Sequence, residues 1–516
     1  MFELALSSEA GHGEARRVRF AAVVGVVIFI AVLLPTRVVA SGAEEVRRPP
    51  HIVVVLADDM GWRDVSYHGS EIPTPSIDRI AKEGIELDRF YAQPTCSPTR
   101  AALMTGKSPQ RLGIESPIHK GAVVGLPLEE TTLATLLANQ GYQSLMVGKW
   151  HLGHYTPEQS PLARGFEYFY GFLNGGVGYW DHVHGGGYDW QRNGKTLRED
   201  GYATHLLVED AVRVLADRDR SRPTFLYVAF SSPHLPNEAP SASIERFAHL
   251  ENENRRVHAA MVSELDIAIG RLLEAIRAEG MEDNTIVLFA SDNGGLNPGV
   301  YAGSAAGTMA NFLGEWFDRP FFPPGLEFLA ANALDGGSDN SPLPVGKGSV
   351  AEGGTRVPAA IWWPGHLERG VHEGFISASD VLPTLLEAIG AKQQIPSDLN
   401  GRSQWGALTG DGADPETPDY VVTGMFNEIA IYRSPWKLVD DGEVSLYHIY
   451  DDPYEQTDVS AQHPTLLSDL QDTLKGWPRP KVGGINFLNV LLDPDSFGGE
   501  EDRLPWADAA RANGTR

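Results

Sequence analysis

A chain of 516 residues with 42% hydrophobic and 21% charged residues has the composition of a folded globular protein, not a disordered one. Its formal net charge of −26 argues against a nucleic-acid binder, which needs a basic stripe to neutralise phosphates, but not against a small anionic substrate, which a few buried cations can hold. A single cysteine, Cys96, excludes any intramolecular disulfide.

At the N-terminus, Arg16, Arg17 and Arg19 precede an apolar run over residues 20–34, and Val38-Val39-Ala40 offers small residues before Ser41. This order is that of a secretory signal, so residues 1–41 are read as a signal peptide and the protein as exported, periplasmic or extracellular. The run is shorter than the roughly 20 residues of a spanning helix. An uncleaved membrane anchor over residues 20–40 is the alternative, because residues 21–40 carry only one charge, Arg37.

The first element beyond it, His51–Ala57, is a continuous β-branched run without alternation, the pattern of a strand buried on both faces of a parallel sheet. Residues 142–147, 224–230 and 285–290 share it. Helices are predicted between them at 76–83 and 131–140, ended by Gly84 and Gly141, and at 255–279, ended by Gly280. Strands alternating with helices predict an α/β fold with a mostly parallel central sheet over residues 42–410. Within it, residues 296–342 are rich in Gly, Ala, Asn and Phe and read as a functional insert. From 411 the texture changes to short strands at Tyr420–Thr423, 428–432, 436–439 and 445–449, then a helix at 464–475. This predicts a small C-terminal α+β domain over 411–483 with an antiparallel sheet, followed by a tail over 484–516.

Each of the four buried strands runs into chemically capable residues. They are Asp58-Asp59, then Gly148-Lys149-Trp150-His151, Ser231-Ser232-Pro233-His234, and Ser291-Asp292-Asn293-Gly294-Gly295. Ligands of open α/β sheets bind beyond the carboxyl ends of the strands, so parallel strands bring all four groups to one rim. Asp58, Asp59, Asp292 and Asn293 offer only oxygen ligands, the set that hard cations prefer. Adjacent buried carboxylates without a cation would be costly. Cys96, in Cys96-Ser97-Pro98-Thr99-Arg100, precedes a helical stretch, so a nucleophile there meets a helix N-terminus, with Arg100 one turn along. Lys149, His151, His234 and Lys347 add positive charge around a tetrahedral anionic centre.

At these residues the chain resembles the type I sulfatase family of the alkaline-phosphatase-like superfamily. The resemblance rests on Cys96-Ser97-Pro98-Thr99-Arg100, on the segment from Gly141 to Gly153, and on Leu56-Ala57-Asp58-Asp59-Met60-Gly61-Trp62. It rests also on Ser291-Asp292-Asn293-Gly294-Gly295, Glu352-Gly353-Gly354-Thr355-Arg356-Val357-Pro358, and the stretch from Leu446 to Glu455. It covers about residues 50–475. Within the family, the stretch from Gly148 to Phe172 looks most like the arylsulfatase B group, the N-acetylgalactosamine-4-sulfatases.

The resemblance implies an alkaline-phosphatase-like fold and hydrolysis of a sulfate ester, of a sulfated saccharide or an artificial aryl sulfate. It implies that a formylglycine-generating enzyme oxidises Cys96 to formylglycine, whose hydrated form attacks sulfur. One calcium ion, more than magnesium, would be held by Asp58, Asp59, Asp292 and Asn293 together with the modified Cys96. His234 would protonate the leaving alcohol, Lys149 and Lys347 would stabilise the sulfuryl oxygens, His151 would help release sulfate, and Arg100 would hold the nucleophile and the metal carboxylates. Two departures stand out. About fifty residues separate the Asp-Asn-Gly-Gly block from Lys347, and Pro342-Leu343-Pro344-Val345-Gly346-Lys347 lacks the arginine of the family's Pro-Leu-Arg-Gly-x-Lys. A phosphate or phosphonate ester hydrolase of the same superfamily is the rival enzyme. A non-catalytic binder of sulfated glycans is the rival outside catalysis, and it predicts loss of the cysteine or carboxylates that are present.

Overall fold

The computed structural model describes residues 48–119, 122–184, 187–297, 331–332, 334–411, 418–425 and 428–478. The signal or anchor over 1–41, most of the 296–342 insert and the 484–516 tail lie outside them. Among the described residues no helix is long and apolar enough to cross a membrane.

The four strands read from continuous apolar runs all form, as β1 (His51–Ala57), β3 (Gln143–Lys149), β5 (Thr224–Ala229) and β6 (Thr285–Ser291). Four more long strands join them: β2 (Ile85–Tyr91), β4 (Tyr168–Phe172), β7 (Ala359–Trp362) and β8 (Gly370–Ser377). The sheet runs in the order β8-β2-β7-β6-β1-β5-β3-β4, and two further two-residue strands bring it to ten. β1 lies parallel to both β5 and β6, β5 parallel to β3, and β3 parallel to β4. Only β7 runs against its long neighbours. The reason for the unbroken apolar runs is now visible. Ile52, Val54 and Leu56 of β1 enter the core on one face of the sheet, and Val53, Val55 and Ala57 enter the core on the other. The helix Glu253–Ala278 covers the second face.

A separate antiparallel sheet of four strands follows: β9 (Tyr420–Thr423), β10 (Ile429–Arg433), β11 (Trp436–Asp440) and β12 (Val444–His448). The helix Pro464–Gly476 packs Leu470 and Leu474 against Val421, Ile431, Leu438 and Leu446. The other face of this sheet meets the first through Tyr91, Phe375, Tyr420 and Tyr432.

Candidate active site at the carboxyl edge of the main sheet

Because β1, β3, β5 and β6 are parallel, their carboxyl ends share one rim, and the chemistry read from the sequence gathers there. Asp58 and Asp59 follow β1, Lys149 closes β3, His234 lies just past β5, and Asp292 and Asn293 follow β6. Cys96 is the first residue of the helix Cys96–Thr105, every residue of which is buried. Its Sγ lies 3.5 Å from Asp58 Oδ1. Ligand atoms from Asp58, Asp59, Cys96 and His234 all lie within 4.8 Å of one another.

Arg100 ties these pieces together, as its place one turn after Cys96 suggested. Its Nε and Nη2 donate to Asp292 Oδ2 at 2.9 and 2.7 Å, and its Nη1 donates to the Lys149 carbonyl at 2.9 Å. Lys149 Nζ is 2.6 Å from Asp58 Oδ2, and Lys347 Nζ is 2.6 Å from Asp59 Oδ2. Lys347 therefore reaches the rim despite the long interval after Asn293. Asn293 Nδ2 donates to Asp59 Oδ1 at 2.7 Å, and the Asp59 amide donates to Asp292 Oδ1 at 3.3 Å.

The two histidines are oriented differently. His234 Nδ1 donates to the Leu235 carbonyl at 2.6 Å, which leaves Nε2 facing the site, 3.6 Å from Asp59 Oδ2. His151 follows β3 in a left-handed backbone conformation, φ 59°. Its Nε2 pairs with the Ile118 carbonyl at 3.0 Å, and its own carbonyl accepts from Ser97 Oγ at 2.8 Å, one residue from Cys96.

A row of glycines allows this edge to form. Gly148 (φ 109°) and Gly171 (φ 137°) stand side by side in β3 and β4. A Cβ on Gly148 would lie 1.9 Å from the Ala229 carbonyl oxygen, and one on Gly171 would lie 2.3 Å from the Gly148 carbonyl oxygen.

Burial sets the electrostatics. It pushes the Cys96 thiol far up, against the pull of Lys149, so the unmodified side chain stays protonated. Burial, followed by the charge of Asp58, lifts Asp292 to about 6 although Arg100 and Lys149 oppose it. Asp59 goes the other way. Burial would raise it, but Lys347, His234 and Lys149 together hold it below the usual carboxylate range. His234 is lowered to about 3 by burial and then by Lys347, with Asp59 opposing.

The residues fit a hard cation. Asp58 and Asp59 put buried carboxylate oxygens within 4.8 Å of each other, the buried Asp292 carboxylate accepts from the Asp59 amide beside them, and Asn293 Oδ1 is buried without a hydrogen-bond partner. An oxygen left so is costly in a protein interior unless something else satisfies it.

Comparison with known proteins gives the family. The sulfatase family model matches residues 50–391. The chain belongs to the sulfatase family. It is a sulfuric ester hydrolase. Mouse arylsulfatase J is 31% identical to it over 84% of this chain and 76% of that protein. Human N-acetylgalactosamine-6-sulfatase is 32% identical over 69% of this chain and 65% of that protein, so the chain spans about two thirds of that relative's length. A solved structure of Ps i-CgsB in complex with k-i-k-neocarrahexaose has a TM-score of 0.73 and 30% identity, covering 87% of this chain and 98% of that one. The resemblance to the sulfatases is thus established, while these named relatives are a J-type arylsulfatase and a 6-sulfatase, not the 4-sulfatase group nearest in the sequence reading.

This sulfatase also places residues at the rim that sequence reasoning missed. Ser338 Oγ donates to the Asp59 carbonyl at 3.1 Å. Asn340 and Gly295 exchange two hydrogen bonds, 2.8 and 2.9 Å, that bring the return of the insert back to the Asp-Asn-Gly-Gly block. Tyr179 Oη donates to the carbonyls of Ser231 and His234 at 3.0 and 2.9 Å. These contacts serve backbone atoms of distant segments, which no local motif announces. The one available signal was the Ser338-Asp339-Asn340 cluster at the end of a Gly-rich stretch.

Proposed function

We propose that the protein removes sulfate from a sulfated saccharide, with a formylglycine made from Cys96 as nucleophile and one calcium ion as its metal. The observation that carries this reading is the placement of Cys96 at a helix N-terminus, 3.5 Å from Asp58 and inside the cluster of buried oxygen donors. A buried thiol held fully protonated is a poor nucleophile, which supports an oxidised Cys96 as the working form.

Asp58, Asp59, Asp292 and Asn293, with the modified Cys96, would hold the metal. Calcium bound there would supply positive charge for the nucleophile and the sulfuryl oxygens. Lys149 and Lys347 bind the sulfuryl oxygens and offset charge as it builds on them. Arg100 fixes Asp292 and the Lys149 carbonyl, and so sets the distance between carboxylates and nucleophile. His234, with Nδ1–H held on Leu235, donates a proton from Nε2 to the leaving oxygen; the negative charge of an incoming sulfate ester raises its affinity for that proton. His151, with Nε2 held on the Ile118 carbonyl, helps release sulfate.

A saccharide substrate is supported by a relative named for N-acetylgalactosamine and by the neighbour bound to a neocarrahexaose. Export through residues 1–41 and maturation by a formylglycine-generating enzyme belong to the same reading.

The test is mass spectrometry of the Cys96 peptide from active enzyme, paired with Cys96→Ala. The expected result is an aldehyde in place of the thiol and loss of turnover in the variant. Full activity with unmodified thiol overturns the mechanism. A panel of defined sulfated saccharides with free sulfate as readout then tests the substrate class.

A further inference from the structure

The segments that carry Cys96 and Lys347 come from distant parts of the chain, and both are held from behind by the C-terminal sheet. Ahead of the Cys96 helix, Gln93 Nε2 donates to the Val421 carbonyl of β9 at 3.0 Å, while the Gln93 amide donates to Thr99 Oγ1 at 2.8 Å. Beyond the helix, Gln110 Nε2 donates to Thr423 Oγ1 at 3.0 Å. Next to Lys347, the Gly348 amide donates to the Pro94 carbonyl at 2.8 Å, which joins the two segments directly. The Gly348 carbonyl accepts from the Met425 amide at 2.8 Å. Two residues further, the Val350 amide donates to Glu428 Oε2 at 3.0 Å.

The lysine segment needs such support. Residues 344–350 form no helix or strand, Val345 and Gly348 have positive φ (63° and 89°), and Gly346 adds freedom. A segment of this kind holds a side chain in place only when outside groups pin its backbone. Gly295 and Asn340 pin it on one side, through the Lys347 amide and the Val345 carbonyl. Met425 and Glu428, at the connection between β9 and β10, pin it on the other.

We propose that the C-terminal sheet is a positioning element for the reaction. Through Glu428 and Met425 it sets where the Lys347 ammonium stands relative to Cys96, so part of the anion site's geometry is built outside the catalytic sheet. The proposal rests on the reading of Lys347 as a group that binds the sulfuryl oxygens.

The experiment uses the full chain with its Cys96 conversion verified by mass spectrometry. Glu428→Ala, Glu428→Asp and Glu428→Gln are compared with Lys347→Ala for turnover of an aryl sulfate, competitive inhibition by inorganic sulfate, and melting temperature. Glu428→Ala removes the acceptor, Glu428→Asp keeps the charge but shortens its reach, and Glu428→Gln keeps an acceptor of full length. Expected is about a tenfold weakening of sulfate inhibition and of kcat/KM in the Ala and Asp variants, the size of one lost hydrogen bond. Melting temperature and Cys96 conversion stay near wild type, and Gln recovers most of the loss. If Ala does not fold, Asp carries the comparison. Unchanged sulfate inhibition in both, or a loss that tracks melting temperature and is not rescued by Gln, overturns the proposal. If Lys347→Ala itself leaves sulfate inhibition unchanged, the reading of Lys347 fails first. If Lys347→Ala weakens it and the Glu428 variants do not, only the positioning role fails.

Discussion

This sulfatase buries two clusters of charge, and they are built to opposite ends. At the rim of the main sheet, three carboxylates (Asp58, Asp59, Asp292) face three cations (Arg100, Lys149, Lys347). Beneath the C-terminal sheet, Lys437 stands between Glu352 at 3.1 Å and Glu455 at 2.6 Å, and the Tyr91 and Tyr432 hydroxyls donate to the two oxygens of Glu352. Both clusters are nearly or wholly closed to water. In the second, two hydroxyls and an ammonium converge on the Glu352 carboxylate, and the Glu352 amide donates to Glu455 Oε2 at 2.9 Å. The first keeps an unpartnered oxygen on Asn293, a raised Asp292 beside a lowered Asp59, and a histidine whose Nε2 faces inward. Donors from both sheets closing on one carboxylate give a joint. Incomplete satisfaction, with pKa values driven apart, gives a site that still has something to bind.

Three measurements press on that contrast. The largest effect should come from His234→Ala. A sugar alkoxide leaves poorly without a proton and an activated phenolate leaves well, so a sugar sulfate should lose more rate than a nitrophenyl sulfate by about 10²–10⁴-fold. Equal losses in steady-state assays on the two substrates would make His234 a binding group. Next, Lys437→Met should cost stability, because it leaves two carboxylates buried without their cation. The expected loss is about 3–5 kcal/mol in chemical denaturation, and an unchanged midpoint would show that the cluster is no joint. The smallest stability effect should follow removal of the proposed metal. Chelation should abolish turnover, and from a level about a hundredfold above Kd it should lower stability by about 2.7 kcal/mol, seen as a fall in melting temperature. Asp292→Ala should melt at the same temperature with and without chelator; a retained difference would place the metal elsewhere.

Much of the frame is legible in the amino-acid sequence. β1, β3, β5 and β6 stood out because both faces of each are covered, which forces continuous apolar runs. The ends of those strands then pointed at Asp58, Asp59, Lys149, His234, Asp292 and Asn293 without any appeal to a family. β7 and β8 did not stand out, for physical reasons. β7 has only four residues, and β8 is an edge strand with a register shift between His372 and Phe375 and a polar, half-exposed first half. β9 to β12 were legible from their turns, with ends shifted by a residue or so. Lys347 was reachable because Glu352-Gly353-Gly354 fixed the register behind it. Ser338, Asn340 and Glu428 were not, because each acts on the backbone of a segment far away in sequence, and such a contact leaves no periodic trace.

The paired glycines of β3 and β4 have a practical consequence. With Gly148 and Gly171 packed backbone to backbone at the rim, any side chain there would force apart the strands that present Lys149 and the segment before Gly175. Mutational libraries seeking altered activity should therefore hold both positions invariant, since diversity at them would mostly yield unfolded clones.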